Sequence, residues 1–116
     1  MLPITLVVIA RNEARMIGRC LDSVPFAADK VVVDSGSTDG TPEIAAAHGA
    51  RVVHQDWLGF GPQRNFATAV AKHEWILVLD GDEQLSPALA AELERRLPSI
   101  MASACAGAYF RRATRF

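Results

Sequence analysis

Trp75-Ile-Leu-Val-Leu-Asp80-Gly-Asp82-Glu83 is the stretch whose reading decides the fold. Trp75 to Leu79 are apolar without a break, the pattern of a strand buried on both faces. The run ends in two aspartates separated by a single glycine. In an extended backbone, residues i and i+2 point to the same side, so Asp80 and Asp82 can aim their carboxylates at one place. Gly81 has no Cβ, which lets the chain turn there and a ligand approach. Two hard oxygen donors at a strand's carboxyl end suit a divalent cation that also holds phosphate oxygens. The plainer reading is a strand followed by an acidic turn, since D-G is a common turn pair.

The same strand grammar recurs along the chain. Ile4 to Ala10 read as a first strand, ended by Arg11, Asn12 and Glu13, with Asn12 as the expected N-cap of a helix. That helix carries Ala14, Ile17, Leu21 and Val24 at helical spacing and stops at Pro25. Val31 to Val33 form a second strand, running into Asp34-Ser-Gly-Ser-Thr-Asp-Gly40. Thr41 is the expected cap of the next helix, with Pro42 at its first position and Gly49 as its left-handed end. Arg51 to His54 read as a short third strand. After the loop from Gln55, a third helix is expected from Pro62 or Gln63, then the Trp75 strand. Ser86-Pro87 opens a fourth helix with Leu89, Leu93 and Leu97 on its core face, expected to end at Pro98.

Strands alternating with helices imply an α/β fold: a Rossmann-like parallel sheet with helices on both faces and right-handed crossovers. Such sheets bind ligands beyond the carboxyl ends of their strands. All three polar clusters, Arg11-Asn-Glu13, Asp34 to Asp39 and Asp80 to Glu83, fall at such ends. The expectation is one rim, with the carboxylates of Asp34 and Asp82 in a shared cleft.

Composition narrows the class. The 116 residues are 50% hydrophobic and 22% charged, enough for one small globular domain. The net charge of −1 makes no case for nucleic acid as a partner. Cys20 and Cys105 fit no metal spacing, and Cys20 reads as a buried free thiol. His48, His54 and His73 share no ligand spacing either. The apolar run from Ile4 to Ala10 is too short to span a bilayer and has no basic segment before it. A cytoplasmic protein is the default expectation.

The Gly-rich loop at 34–40 is neither a dinucleotide fingerprint nor a P-loop. By its chemistry Asp34 can accept hydrogen bonds from a base or ribose, while Ser37, Thr38 and Asp39 can hold the turn together. The run from Val31 to Thr41 resembles the nucleotide-sugar loop of family 2 glycosyltransferases of the GT-A fold. Val8-Ile-Ala-Arg-Asn-Glu13, Gln63-Arg-Asn65 and Leu79-Asp-Gly-Asp82 match further motifs, the last being that family's D-x-D. Trp57-Leu-Gly-Phe-Gly-Pro-Gln-Arg-Asn65 looks most like the lipopolysaccharide core β-glucosyltransferases of Gram-negative bacteria. The resemblance runs from about Ile4 to Pro98.

It implies that Ala10, Arg11 and Glu13 line a nucleotide pocket, that Asp34 contacts uridine, and that Arg64 lies near the nucleotide or its phosphates. Asp80 and Gly81 would face the ribose and diphosphate, and Asp82, with Asp80, would bind Mg²⁺ or Mn²⁺. Many relatives have a second acid where this chain has Ser35, so Ser35 stands at the base-binding place without that group. The implied activity is inverting transfer from a nucleotide-diphosphate sugar, UDP-linked, to a glycolipid or oligosaccharide acceptor. The catalytic base is expected after Phe116, since neither Asp56 nor Glu83 matches its position. The whole of 1–116 would then be a single truncated donor-binding domain. Relatives act on lipid-linked acceptors at the inner membrane face, so peripheral association there is a further expectation. Arg111, Arg112 and Arg115 read as a solvated end.

Two other readings compete. Phosphohydrolases of the haloacid dehalogenase type also place D-x-D after an apolar strand, but on their first strand and usually with a nearby Thr. Here it is on the fourth, followed by Glu83-Gln-Leu85. A non-catalytic interaction module would use an unpaired edge near Tyr109-Phe110 to form a homodimer.

Overall fold

A computed structural model describes residues 1–102 of the chain. Four strands and four helices alternate: β1 (Leu2–Ala10), α1 (Ile17–Asp22), β2 (Ala27–Asp34), α2 (Thr41–Ala47), β3 (Arg51–His54), α3 (Phe60–Ala69), β4 (Trp75–Asp80) and α4 (Pro87–Ala102). Every strand pairing is parallel, and the order across the sheet is β3-β2-β1-β4. The α/β, Rossmann-like expectation therefore holds.

Alternation along β1 splits the core into two layers. Ile4, Leu6, Val8 and Ala10 face Ile17, Cys20 and Leu21 of α1, Ala45 of α2, and Ala90 and Leu97 of α4. Val7 faces the other way and joins Val31, Val33, Val78 and Ala67 of α3. Helices thus cover both faces, which is why β1 and the end of β2 read as unbroken apolar runs.

The strand order creates the crevice. The chain steps from β1 outward to β2 and β3, then crosses back to place β4 on the free side of β1. The order of the strands reverses between β1 and β4, and ligands of such sheets bind beyond the carboxyl ends of the strands at that switch point.

Several local expectations change. Asn12 is not a helix cap: it sits at φ 55°, and α1 begins only after Met16. Val24 is buried but lies beyond that helix. Gly40, at φ 93°, precedes α2, so Thr41 is its first residue rather than its cap. Helix α3 begins at Phe60, earlier than Pro62. Trp75 and Ile76 are half-buried, because β4 is an edge strand and its burial becomes complete only from Leu77 to Leu79. Pro98 lies inside α4, which runs on to Ala102. Leu97 holds that turn against the core while Pro98 itself faces solvent, so packing there outweighs one lost backbone bond. Gly49, at φ 90°, ends α2 as expected. Cys105, the segment 107–112, Tyr109, Phe110 and Arg115 lie outside the described residues.

Candidate functional site

The rim is built by stitching loops together. After β1 the Asn12 N–H donates to Ser37 Oγ at 2.7 Å, and Asn12 Oδ1 accepts from the Thr38 N–H at 2.8 Å. The Glu13 N–H donates to Thr41 Oγ1 at 2.9 Å, and the Ala14 N–H to Asp39 Oδ2 at 3.1 Å. The polar run after β2 is therefore a clamp for the loop after β1. This is why Asn12 and Thr41 are not caps: their side-chain bonds run between loops. Ser37, Thr38 and Asp39 do the turn-holding work expected of them. Asp39 Oδ1 also accepts from the Thr41 N–H and hydroxyl. The Thr41 hydroxyl, with the Ala14 and Thr41 amides, holds Asp39 below the usual carboxylate range against the opposing effect of its surroundings.

Asp34 departs from expectation. Its side chain is almost wholly buried, and Oδ2 accepts from the Gly36 N–H at 3.0 Å and the Ser37 N–H at 2.9 Å, while Oδ1 takes the Ser37 hydroxyl. The carboxylate is spent on its own turn, an Asx-type arrangement. Asp34 is absent from the lining of the cleft that Asp82 lines, so the two carboxylates do not share it. The neighbouring Ser35 lines it instead.

At the tip of β4 the Gly81 N–H continues the ladder to the Ile9 carbonyl at 3.1 Å. A Cβ on Gly81 would lie 2.8 Å from Glu13 Cγ and 3.1 Å from Ala10 Cβ. Only glycine lets these tips come so close. Glu83, which the sequence reading left without a role, closes the turn. Its N–H donates to the Asp80 carbonyl at 2.9 Å, and its Oε1 accepts from the Asp80 N–H at 2.9 Å. Glu83 is buried while Asp82, one residue before it, is exposed. The acid-rich run thus splits into one side chain that shapes the turn and one that projects from it.

The resulting cavity, of about 430 Å³, is lined by Ile9, Ala10, Arg11, Glu13, Ser35, Trp57, Phe60, Asp80, Gly81 and Asp82. Seven of the nine expected site residues meet there. Asp34 and Arg64 do not: Arg64 is half-buried on α3, and its Nε is buried without a hydrogen-bond partner. Trp57 and Phe60 are additions; the sequence marked their loop without giving either residue a part in the site. Burial, then the charges of Asp82, Asp39 and Asp80, push the Glu13 carboxyl up from its ordinary range. The cleft is therefore a place where negative groups oppose one another, which a cation would relieve. Behind it, burial and the charges of Glu83, Asp82 and Asp80 push the Cys20 thiol up to about 12, so it stays protonated at neutral pH and is no nucleophile.

Among the described residues no three His, Cys, Asp or Glu side chains form a ready metal cage, and no helix is long and apolar enough to cross a membrane.

Comparison with known proteins agrees with this layout. Residues 5–114 match the family described as Glycosyl transferase family 2. An uncharacterized glycosyltransferase of Rickettsia bellii is 49% identical over 88 residues, covering 75% of this chain and 30% of that protein. The lipopolysaccharide core biosynthesis glycosyltransferase LpsC of Rhizobium meliloti is 33% identical over 107 residues, covering 88% of this chain and 38% of its own length. A crystal structure of glucosyl-3-phosphoglycerate synthase from Mycobacterium tuberculosis, in complex with Mn²⁺, UDP and glucosyl-3-phosphoglycerate, superposes with a TM-score of 0.65. It is 27% identical, covering 81% of this chain and 39% of that one. The chain spans about a third or less of the first curated relatives it matches. With the family match covering nearly its whole length, a parallel sheet of the GT-A type and a D-x-D at the switch point, this chain belongs to glycosyltransferase family 2.

Proposed function

We propose that residues 1–116 form the donor-binding part of an inverting glycosyltransferase that takes a nucleotide-diphosphate sugar, with UDP as its nucleotide. The observation that carries this is the meeting of Asp80 and Asp82 with Ala10, Arg11 and Glu13 around one cleft at the β1/β4 switch point. Asp82, with Asp80, would hold Mg²⁺ or Mn²⁺. The donor set fits, since such ions are commonly bound by one or two carboxylates plus phosphate oxygens. The solved relative crystallised with Mn²⁺ and UDP supports the same choice. When bound, the ion offsets the charge that grows on the departing nucleoside diphosphate.

The chain's own residues do the positioning. Glu83 fixes the turn from which Asp82 projects, and Gly81 brings that turn against β1. Arg11 offers a cation to the diphosphate at the same mouth, and Ser35 a hydroxyl on the β2 side. Arg64, one turn into α3, would lie near the nucleotide or its phosphates without lining the cleft itself. We assign no general base for deprotonating the acceptor hydroxyl among the described residues. The relative named for lipopolysaccharide core biosynthesis supports a role in cell-envelope glycan synthesis. A glycolipid or oligosaccharide acceptor, met at the cytoplasmic membrane face, completes the proposal.

Isothermal titration tests the reading. The chain should bind UDP with Mn²⁺ present and weakly or not at all without it, and Asp82→Asn should remove the metal dependence. Equal UDP binding with and without metal would overturn the assignment of Asp80 and Asp82.

A further inference from the structure

Among the described residues, five large apolar side chains stand well out of the surface, and three of them, Trp57, Leu58 and Phe60, fall within four consecutive positions. Phe60 is 78% exposed. Apolar side chains on a slack loop would fold down onto neighbouring apolar surface. This loop is held. Gln63 is wholly buried; its Oε1 accepts from the Leu58 N–H at 2.9 Å and its Nε2 donates to the Gln55 carbonyl at 3.0 Å. Its own N–H donates to the Gly59 carbonyl at 2.9 Å. One residue thus staples the loop at Gln55, Leu58 and Gly59, and Gly59, at φ 106°, makes the turn into α3. The rings of Trp57 and Phe60 meet edge to face, centroids 5.0 Å apart and planes at 88°. That geometry locks one ring by the other and leaves flat surface outward.

The two rings line the same cavity as Asp80 and Asp82. The strand order separates the two groups, because the loop follows β3 at one edge and the aspartates follow β4 at the other. Strand spacing makes those edges about 14 Å apart. The cavity is therefore acidic at one end and aromatic at the other, with Arg11 and Ser35 from the tips of the two central strands. A ligand filling it needs a metal-binding anion at one end and a flat π-face at the other.

We infer that Trp57, braced by Phe60, is the platform on which the donor's nucleobase stacks. The inference rests on the proposed binding of the diphosphate at Asp80 and Asp82. It gives the aromatic loop a ligand, and it explains why a buried glutamine is spent on keeping the loop in shape before any ligand arrives. Every base has a π-face, so Trp57 supplies affinity rather than the choice of base. That choice falls to hydrogen-bonding groups such as Ser35.

The experiment titrates the 116-residue chain with UDP and separately with inorganic pyrophosphate, both with Mn²⁺. Trp57→Ala should weaken UDP binding about tenfold or more, the usual range for losing one stacked base, and leave pyrophosphate binding unchanged. Trp57→Phe should keep most of the UDP affinity. UDP should also change the tryptophan emission of the parent chain and not that of Trp57→Phe, because the other indole, Trp75, sits at the opposite end of β4. Unchanged UDP affinity in Trp57→Ala, with metal dependence intact, overturns the platform and leaves the donor site standing. Equal loss of UDP and pyrophosphate in that variant also overturns it, since the residue would then be holding the whole cleft. If the parent chain binds neither ligand with Mn²⁺, the donor reading itself falls and the platform with it.

Discussion

The two ends of one sheet treat carboxylates in opposite ways. At the amino end, Asp29 of β2 is almost fully enclosed. Its oxygens take the Arg51 Nε–H at 3.0 Å, an Arg51 guanidinium N–H at 2.9 Å, the Thr5 hydroxyl at 3.0 Å and the Lys72 N–H at 3.2 Å. Arg51 reaches on to the Val70 carbonyl, and Thr5 accepts the His73 N–H. This single group ties β1, β2, β3 and the approach to β4 together. Burial alone would raise its pKa, but the bonds from Arg51, Lys72 and Thr5 overcome that and hold it at about 2. At the carboxyl end, Glu13 faces Asp82, Asp39 and Asp80, and its pKa is raised. The first end satisfies a charge internally and converts it into stability. The second leaves charges opposed and facing a cleft, a cost that makes sense where a ligand brings the balancing charge.

The largest effect should come from breaking the satisfied end. Asp29→Ala leaves the Arg51 guanidinium, the Thr5 hydroxyl and the Lys72 amide without their acceptor. Removing one partner of a buried pair typically costs about 3–5 kcal/mol, and the partial exposure of Arg51 places this case near the lower figure. Urea unfolding should show a loss of about 3 kcal/mol. A loss below about 1 kcal/mol would mean that the two ends are not different in kind.

Acid should affect the ends with opposite signs. Asp29 has its pKa depressed to about 2 from 3.8, so its contribution is present above about pH 4 and is lost as pH falls toward 2. The size is about 2 kcal/mol by linkage. Glu13 has its pKa raised, so it destabilises the fold once ionised, and that cost disappears as pH falls through its folded pKa. Between pH 5 and 2 the Asp29 loss should dominate, and stability should fall. In Asp29→Asn the curve should flatten. An equally steep acid limb in that variant would locate the sensitivity elsewhere.

How much of this contrast is legible in the sequence depends on how local its causes are. The strands were readable where an apolar run marks them, as at Val31 to Val33 and Trp75 to Leu79, although β2 begins four residues earlier, at Ala27, and the D-G-D rim was readable because its three residues are adjacent. Asp29 was not, since Ala28-Asp-Lys30 looks like the polar lead-in to a strand and Arg51 lies 22 positions away. Asp34 looked like a ligand group because its position at a strand tip is right, but orientation is decided by the amides of Gly36 and Ser37 around it. Asn12 and Thr41 have the side chains of caps and use them across a loop–loop seam that no local rule sees. Pro98 obeys a local rule that packing of Leu97 overrides. In each case the missing information was tertiary: which distant backbone group competes for the side chain.

The smallest effect sharpens the comparison most, because its sign is unusual. Glu13→Gln keeps the side chain's length and shape and removes one negative charge from the group that includes Asp82, Asp39 and Asp80. Most substitutions at a half-buried position cost stability. Here the removed charge was held at a loss, so at pH 7 the variant should be as stable as the parent or a few tenths of a kcal/mol more stable, the scale of repulsion between partly solvated like charges. The gain should vanish below the folded pKa of Glu13, where the parent is itself neutral at this position, and it should shrink in high salt. The same change should weaken metal-dependent UDP binding, because it removes negative potential from the cation's surroundings. Thermal melts at pH 7 and pH 4 measure the first effect and titration calorimetry the second. A variant less stable at pH 7 than at pH 4, relative to the parent, would show that Glu13 is a structural acid like Asp29, and the division between the two ends of the sheet would not hold.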